Sequence, residues 1–137
     1  MISAKATSEG VENVDRQFVQ WADEIAGKGI VGYLDENGTV TFAIVAGEGS
    51  PIRGTELFDN MMRYFGDDAK AIRGVWRAGT NLNKVNELTA KGMPLEEAVQ
   101  QAWTVTRARR LGFVKVKVVL RVGQPGQYAK IDVSIEK

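Results

Sequence analysis

From Val114 to Ile135 the chain alternates with a period of two, and that pattern confines its C-terminal part to an antiparallel hairpin. Val114, Val116, Val118, Leu120 and Val122 fall on one side of a strand, and Lys115, Lys117, Val119 and Arg121 on the other. Gln124-Pro125-Gly126-Gln127 fits a type II turn, because Pro presets the first central position and Gly accepts the positive φ of the second. On the return strand Ala129, Ile131, Val133 and Ile135 face inward, and Tyr128, Lys130, Asp132, Ser134 and Glu136 face water. A sheet with one dry and one wet face needs a layer of helices over the dry one.

The upstream sequence offers those helices. Val11, Val14, Phe18, Trp21 and Ile25 recur at spacings of 3 and 4, which predicts a helix over 11–26, capped by Ser8 or Asn13 and stopped by Gly27 and Gly29. Residues 1–10 read as a flexible tail. Asn37-Gly38 between the β-rich runs 30–34 and 39–46 predicts a second hairpin. The glycine-rich loop 47–54 leads into a helix with Leu57, Phe58, Met61, Met62 and Phe65 on one face, ended by Gly66. Residues 72–76 read as a central strand. Asn81 caps a short helix carrying Leu82, Val85 and Leu88, and Met93-Pro94 opens one more that runs to Arg110. The expectation is a single α+β domain over 11–137. Its antiparallel sheet has two β-hairpins plus a central strand, packed by about four helices on one side.

The chemistry available to such a domain is restricted by its 137 residues containing no Cys and no His. Disulfides, thiolate metal sites and imidazole acid–base relays are excluded. No stretch approaches a membrane span or a signal-peptide core. The net charge of +1 is the sum of two unlike halves. Residues 1–70 hold 6 basic and 12 acidic side chains, and residues 71–137 hold 12 basic and 5 acidic, balances of −6 and +7.

The wet face of the last hairpin gathers Lys115, Lys117, Arg121, Tyr128 and Lys130, cations suited to a phosphodiester with an aromatic suited to a base. The structural alternative is a solvated sheet face whose lysines discourage edge pairing. Arg53 and Glu56 follow the glycine-rich loop, as a phosphate or dinucleotide ligand and a candidate base, or as a surface loop with an acid at a helix start. Thr106 either bonds back to its own helix or points into a site. Asn86 sits inside a helix with no capping role to explain it. No acidic cluster has metal-ligand spacing, so neither a metal nor another cofactor is expected.

Arg53-Gly54-Thr55-Glu56-Leu57-Phe58, Met61, Phe65-Gly66, Trp76, Gly79-Thr80-Asn81-Leu82 and Asn86 form the first part of a wider pattern. It continues through Glu96-Glu97-Ala98, Thr104-Val105-Thr106, Gly112-Phe113, Gly123-Gln124-Pro125-Gly126-Gln127-Tyr128 and Lys130-Ile131-Asp132-Val133. This stretch resembles the C-terminal effector domains of bacterial polymorphic toxins of the RHS-repeat and filamentous-haemagglutinin, contact-dependent inhibition type. The resemblance implies a toxin domain secreted as part of a larger protein, monomeric outside it, acting in the target-cell cytoplasm and blocked by a cognate immunity protein. With the residue chemistry above, it implies action on RNA or another nucleic acid as a metal-independent ribonuclease. Arg53, Arg107 and Lys130 would hold phosphate, Glu56 would act as base, Tyr128 and Thr106 would orient the substrate, and Lys115, Lys117, Arg121 and Asn86 would bind it. The alternatives are an ADP-ribosyltransferase using NAD and a non-catalytic binding module or immunity-type partner.

Overall fold

Ile2–Thr7 (β1) and Gly10–Asp23 (β2) form an antiparallel strand pair where the sequence pattern predicted a loose tail and a helix. The computed structural model describes residues 2–7, 10–46 and 50–137, the backbone alone up to residue 15. The Ser8 cap and the start of the glycine-rich loop, 47–49, lie outside the described residues. The spacing of Phe18, Trp21 and Ile25 is real, but a strand sends Phe18 and Trp21 to opposite faces. Phe18 stacks on Tyr64 with ring centroids 5.6 Å apart, whereas Trp21 is exposed and Ile25 stands fully in water in the following turn.

β2 continues antiparallel into Lys28–Leu34 (β3) and Thr39–Val45 (β4). The turn between the last two is organised by Asp35, whose Oδ1 accepts the backbone N–H groups of Asn37 and Thr39, both at 2.9 Å. Gly38 takes the positive φ of 82° that this turn requires.

The helix Gly54–Phe65 (α1) covers one face of these strands with the apolar stripe expected of it, Leu57, Phe58, Met61, Met62 and Phe65 all buried. Phe58 meets Phe42 edge-on at 5.3 Å, and Asn60 donates to Gln20 Oε1 at 3.1 Å. A 3-10 turn, Gly66–Asp68, follows, and Arg16 bonds Asp68 at 2.8 Å while its guanidinium lies 5.7 Å from the Tyr64 and Phe65 ring centres. The chain to residue 70 is one compact unit, and residues 71–137 are a second.

The second unit has Ala71–Trp76 (β5) followed by the helices Thr80–Ala90 (α2), Leu95–Val99 (α3) and Trp103–Arg110 (α4). The strands Lys115–Val122 (β6) and Lys130–Glu136 (β7) close it. Its strand order is β5-β7-β6, with both pairs antiparallel. Ile72, Trp76, Ile131, Val133 and Ile135 form its dry face, and Val85, Val99, Val105 and Ala108 are buried on the helices. The fold is thus α+β, as the sequence predicts, with strands and helices in each unit.

One predicted helix, 93–110, is two. The backbone turns extended at Ala102, and Asn81 restarts the helix from outside: its Oδ1 accepts the Thr104 N–H at 3.0 Å and its Nδ2 donates to Thr104 Oγ1 at 2.9 Å. Asn81 therefore caps α4, and its own helix begins at Gly79 without a side-chain cap.

Candidate nucleic-acid interface

Strand register decides which cations share a surface. Across β5, β7 and β6 the successive rows on one face are Ala71–Glu136–Lys115, Arg73–Ser134–Lys117 and Val75–Asp132–Leu120, with Lys130 beside Val122 at the end. Lys115, Lys117 and Lys130 therefore stand on one face, as the sequence alternation places them, and the structure adds Arg73. Lys117 lies 3.8 Å from Glu136.

A β-bulge between Val118 and Leu120 corrects the rest of the predicted alternation. Val119 is left without a partner, and every residue after it changes side. Leu120 and Val122, predicted to face inward, join the lysines and are exposed, while Arg121 pairs with Ile131 and goes to the opposite side.

Tyr128 and Asp132, both predicted to face water, are only 5% and 4% exposed. Asn86 explains the first. Its Nδ2 donates to the Tyr128 carbonyl at 3.0 Å and its Oδ1 accepts the Tyr128 N–H at 2.7 Å, like a neighbouring strand. One turn along α2, the Thr89 hydroxyl accepts the Gly126 N–H at 2.8 Å. The predicted type II turn is present, with Gln127 N–H bonded to the Gln124 carbonyl at 2.8 Å and Gly126 at a φ of 83°. Asn86 thus holds the loop of the last hairpin, and the Tyr128 ring is turned into the protein rather than offered to a base.

Asp132 is held by Arg73, which donates from Nε to Oδ1 at 3.2 Å and from a terminal nitrogen to Oδ2 at 2.7 Å. These hydrogen bonds keep the carboxyl below the ordinary carboxylate range, burial opposes the shift, and the charges of Arg73 and Lys130 reinforce it. The same pair raises Arg73 further above its usual value. A carboxylate depressed on folding stabilises the fold fully above the unfolded pKa, near 3.9, and that contribution is lost as pH falls through the folded value. Asp132→Asn should remove this dependence. Urea midpoints between pH 7 and pH 2 are expected to fall less steeply in the variant, at a cost near neutrality of about 1 kcal/mol, since Arg73 is half exposed and water screens the pair.

The remaining site residues are distributed. Arg53 precedes α1 and Glu56 stands in its first turn, both exposed and without a side-chain hydrogen bond or ion pair to another described residue. Thr106 Oγ1 donates to the Trp103 carbonyl at 2.9 Å, the local bonding that the sequence left open, and Arg107 is half-buried and already engaged within the protein. An open cleft of about 450 Å³ beside the β3–β4 turn, lined by Arg16, Leu34, Asp35, Asn37, Asp68 and Lys70, contains none of the predicted residues. Most of its charged groups serve the fold: Arg16 is paired with Asp68, Asp35 builds the turn, and Lys70 Nζ donates to the Asp67 carbonyl at 2.9 Å, while Glu36 also lines it. Among the described residues no group of three or more carboxylates is placed to hold a metal ion, and no helix is long and apolar enough to cross a membrane.

The fold and this face define an α+β protein with a cationic, uncovered sheet surface. No protein-family model matches the chain, nor does any curated protein or solved structure.

Proposed function

We propose that this chain is an interbacterial toxin domain that acts on RNA as a metal-independent ribonuclease. It is carried by a larger secreted protein into the cytoplasm of a target cell and restrained by an immunity protein. One observation carries the reading: the division of charge at residue 70 coincides with the division into compact units, so that the unit of balance +7 presents Lys115, Lys117, Lys130 and Arg73 on one open sheet face. Such a face suits a phosphodiester backbone. Leu120, Val122 and Val75 between the cations give apolar contact to bases in place of the buried Tyr128.

The chemistry needs little more, because RNA brings its own nucleophile. The 2′-oxygen bonds to phosphorus as Glu56 takes its proton, Arg53 neutralises the charge gathering on the phosphoryl oxygens, and the 5′-oxygen leaves and is protonated by water.

Incubation of the intact chain with total RNA in EDTA tests the proposal: cleavage is expected, and RNA left intact at micromolar protein overturns it. Binding to a non-cleavable RNA locates the contact. Lys115→Ala, Lys117→Ala and Lys130→Ala combined should lower the slope of log affinity against log salt by about 2, since each single-strand phosphate contact contributes roughly 0.7. Transfer of a tagged ADP-ribose from a dinucleotide, with RNA intact, would replace this reading by the ADP-ribosyltransferase one.

A further inference from the structure

β6 is the last strand of its unit and, among the described residues, pairs with β7 alone, so alternate residues present backbone N–H and C=O groups along its outer edge. Natural edges of this kind are kept short, interrupted by proline or a bulge, charged or covered, and β6 has both lysines and a bulge. This one runs for eight residues without proline and exposes large apolar side chains, Val119 at 63%, Leu120 at 44% and Val122 at 46%. Val114, just before it, is 56% exposed.

We infer that the outer edge of β6 is a docking strand for an acidic, extended segment of a partner protein, which adds to the sheet alongside residues 115–118. Charge selects this occupant. β6 carries Lys115, Lys117 and Arg121 and no acid. A second copy laid edge to edge would set these cations against one another, which destabilises a strand pair. A nucleic acid on the face would meet the cations, Leu120 and Val122 but leave the backbone edge and the bulged Val119 unpaired. An extended peptide alternating acidic and β-branched residues answers all three needs, with hydrogen bonds along the edge, carboxylates at Lys115 and Lys117, and apolar contact at Val119 and Leu120. The bulge at Val119 ends the new ladder after about four residues and prevents the open-ended growth that a flat edge invites. This inference concerns the strand's edge and does not need the ribonuclease reading, which concerns the sheet's face, although both draw on Lys115, Lys117 and Leu120.

The test titrates the intact chain with an acetylated, amidated heptapeptide of sequence Glu-Val-Glu-Val-Thr-Val-Glu, followed by calorimetry and by amide signals in NMR. Binding is expected, with the alternate amides of residues 115–118 that point away from β7 gaining protection from exchange. Affinity should fall at least tenfold when lysine replaces glutamate in the peptide, and likewise in the Lys115→Glu/Lys117→Glu chain. Because those substitutions are on exposed positions of the second unit, its folding is checked by unchanged amide signals from β5 and the helices of that unit. Methylating the peptide nitrogens, at the odd positions in one peptide and the even positions in another, should abolish binding in one of the two. No binding at millimolar peptide, or equal binding by both methylated peptides, overturns the inference. So does equal protection of the same amides by a non-cleavable RNA.

Discussion

Glu56→Gln is expected to slow RNA cleavage by about 10²–10⁴-fold, the range for loss of a positioned general base, with RNA affinity unchanged. The substitution keeps shape and removes only the ability to accept a proton. Glu56 is exposed in the first turn of α1 and pairs with no other described residue, so the fold loses little beyond the favourable meeting of a carboxylate with the helix N-terminus, worth about 0.3–1 kcal/mol. Arg53→Gln should lower cleavage by a similar route, since only its backbone carbonyl, which accepts from Leu57 N–H at 3.1 Å, serves the helix. Thermal melts and RNA binding run beside the kinetics separate chemistry from folding. Full activity in Glu56→Gln would move the base elsewhere in the chain and remove α1 from the mechanism.

The largest expected effect on stability is at Gly32. It stands in the middle of β3, opposite Phe18 of β2 and Phe42 of β4, on the face that α1 covers. A Cβ there would lie 2.2 Å from the sulfur of Met61, which is fully buried and would have to shift. Gly32→Val should therefore destabilise the protein by about 3 kcal/mol, lowering the melting temperature by about 10 °C, and Gly32→Ala should do so less severely. Trimming the obstruction identifies the cause. Met61→Ala in the Gly32→Val background should cost less than the two changes taken separately, by about 1–2 kcal/mol. Additive effects would mean that Gly32 matters for reasons other than the approach of α1.

The two hairpins and α1 were legible in the sequence because one face of each is plainly apolar and the turns at Gly38 and Gly126 carry the residues that positive φ demands. β2 was not, and its exposed face is the reason. Trp21, Val19, Val31, Tyr33 and Val45 lie on the side of the sheet away from α1, so apolar residues occupy both faces and the period of two is blurred into a helical one. The bulge at Val119 was hidden for a similar reason: Val118, Val119 and Leu120 are all apolar, and either phase of alternation fits them. In the candidate site the lysines on β6 and β7 were readable as a face, but the contacts that decide access were not. Arg73 reaches Asp132 across 59 positions of sequence, Asn86 reaches Tyr128 across 42, and Asn81 reaches Thr104 across 23. Such pairs leave no local signature, and they are what turned Tyr128 inward and split the last long helix.

The order β5-β7-β6 has a consequence for when the second unit acquires its structure. Its central strand follows both of its neighbours in the chain. β5 and β6 contact β7 and not each other, and α2 clamps a loop, Gly126 to Tyr128, that lies just before that strand. Until residues 130–136 have been made, β6 has no partner strand, and the basic face of the unit has no fixed arrangement. The first unit has no such dependence, since β2, β3, β4 and α1 are complete by residue 65. A chain built this way can order its acidic part before its cationic surface, which waits for loop closure over long sequence separations.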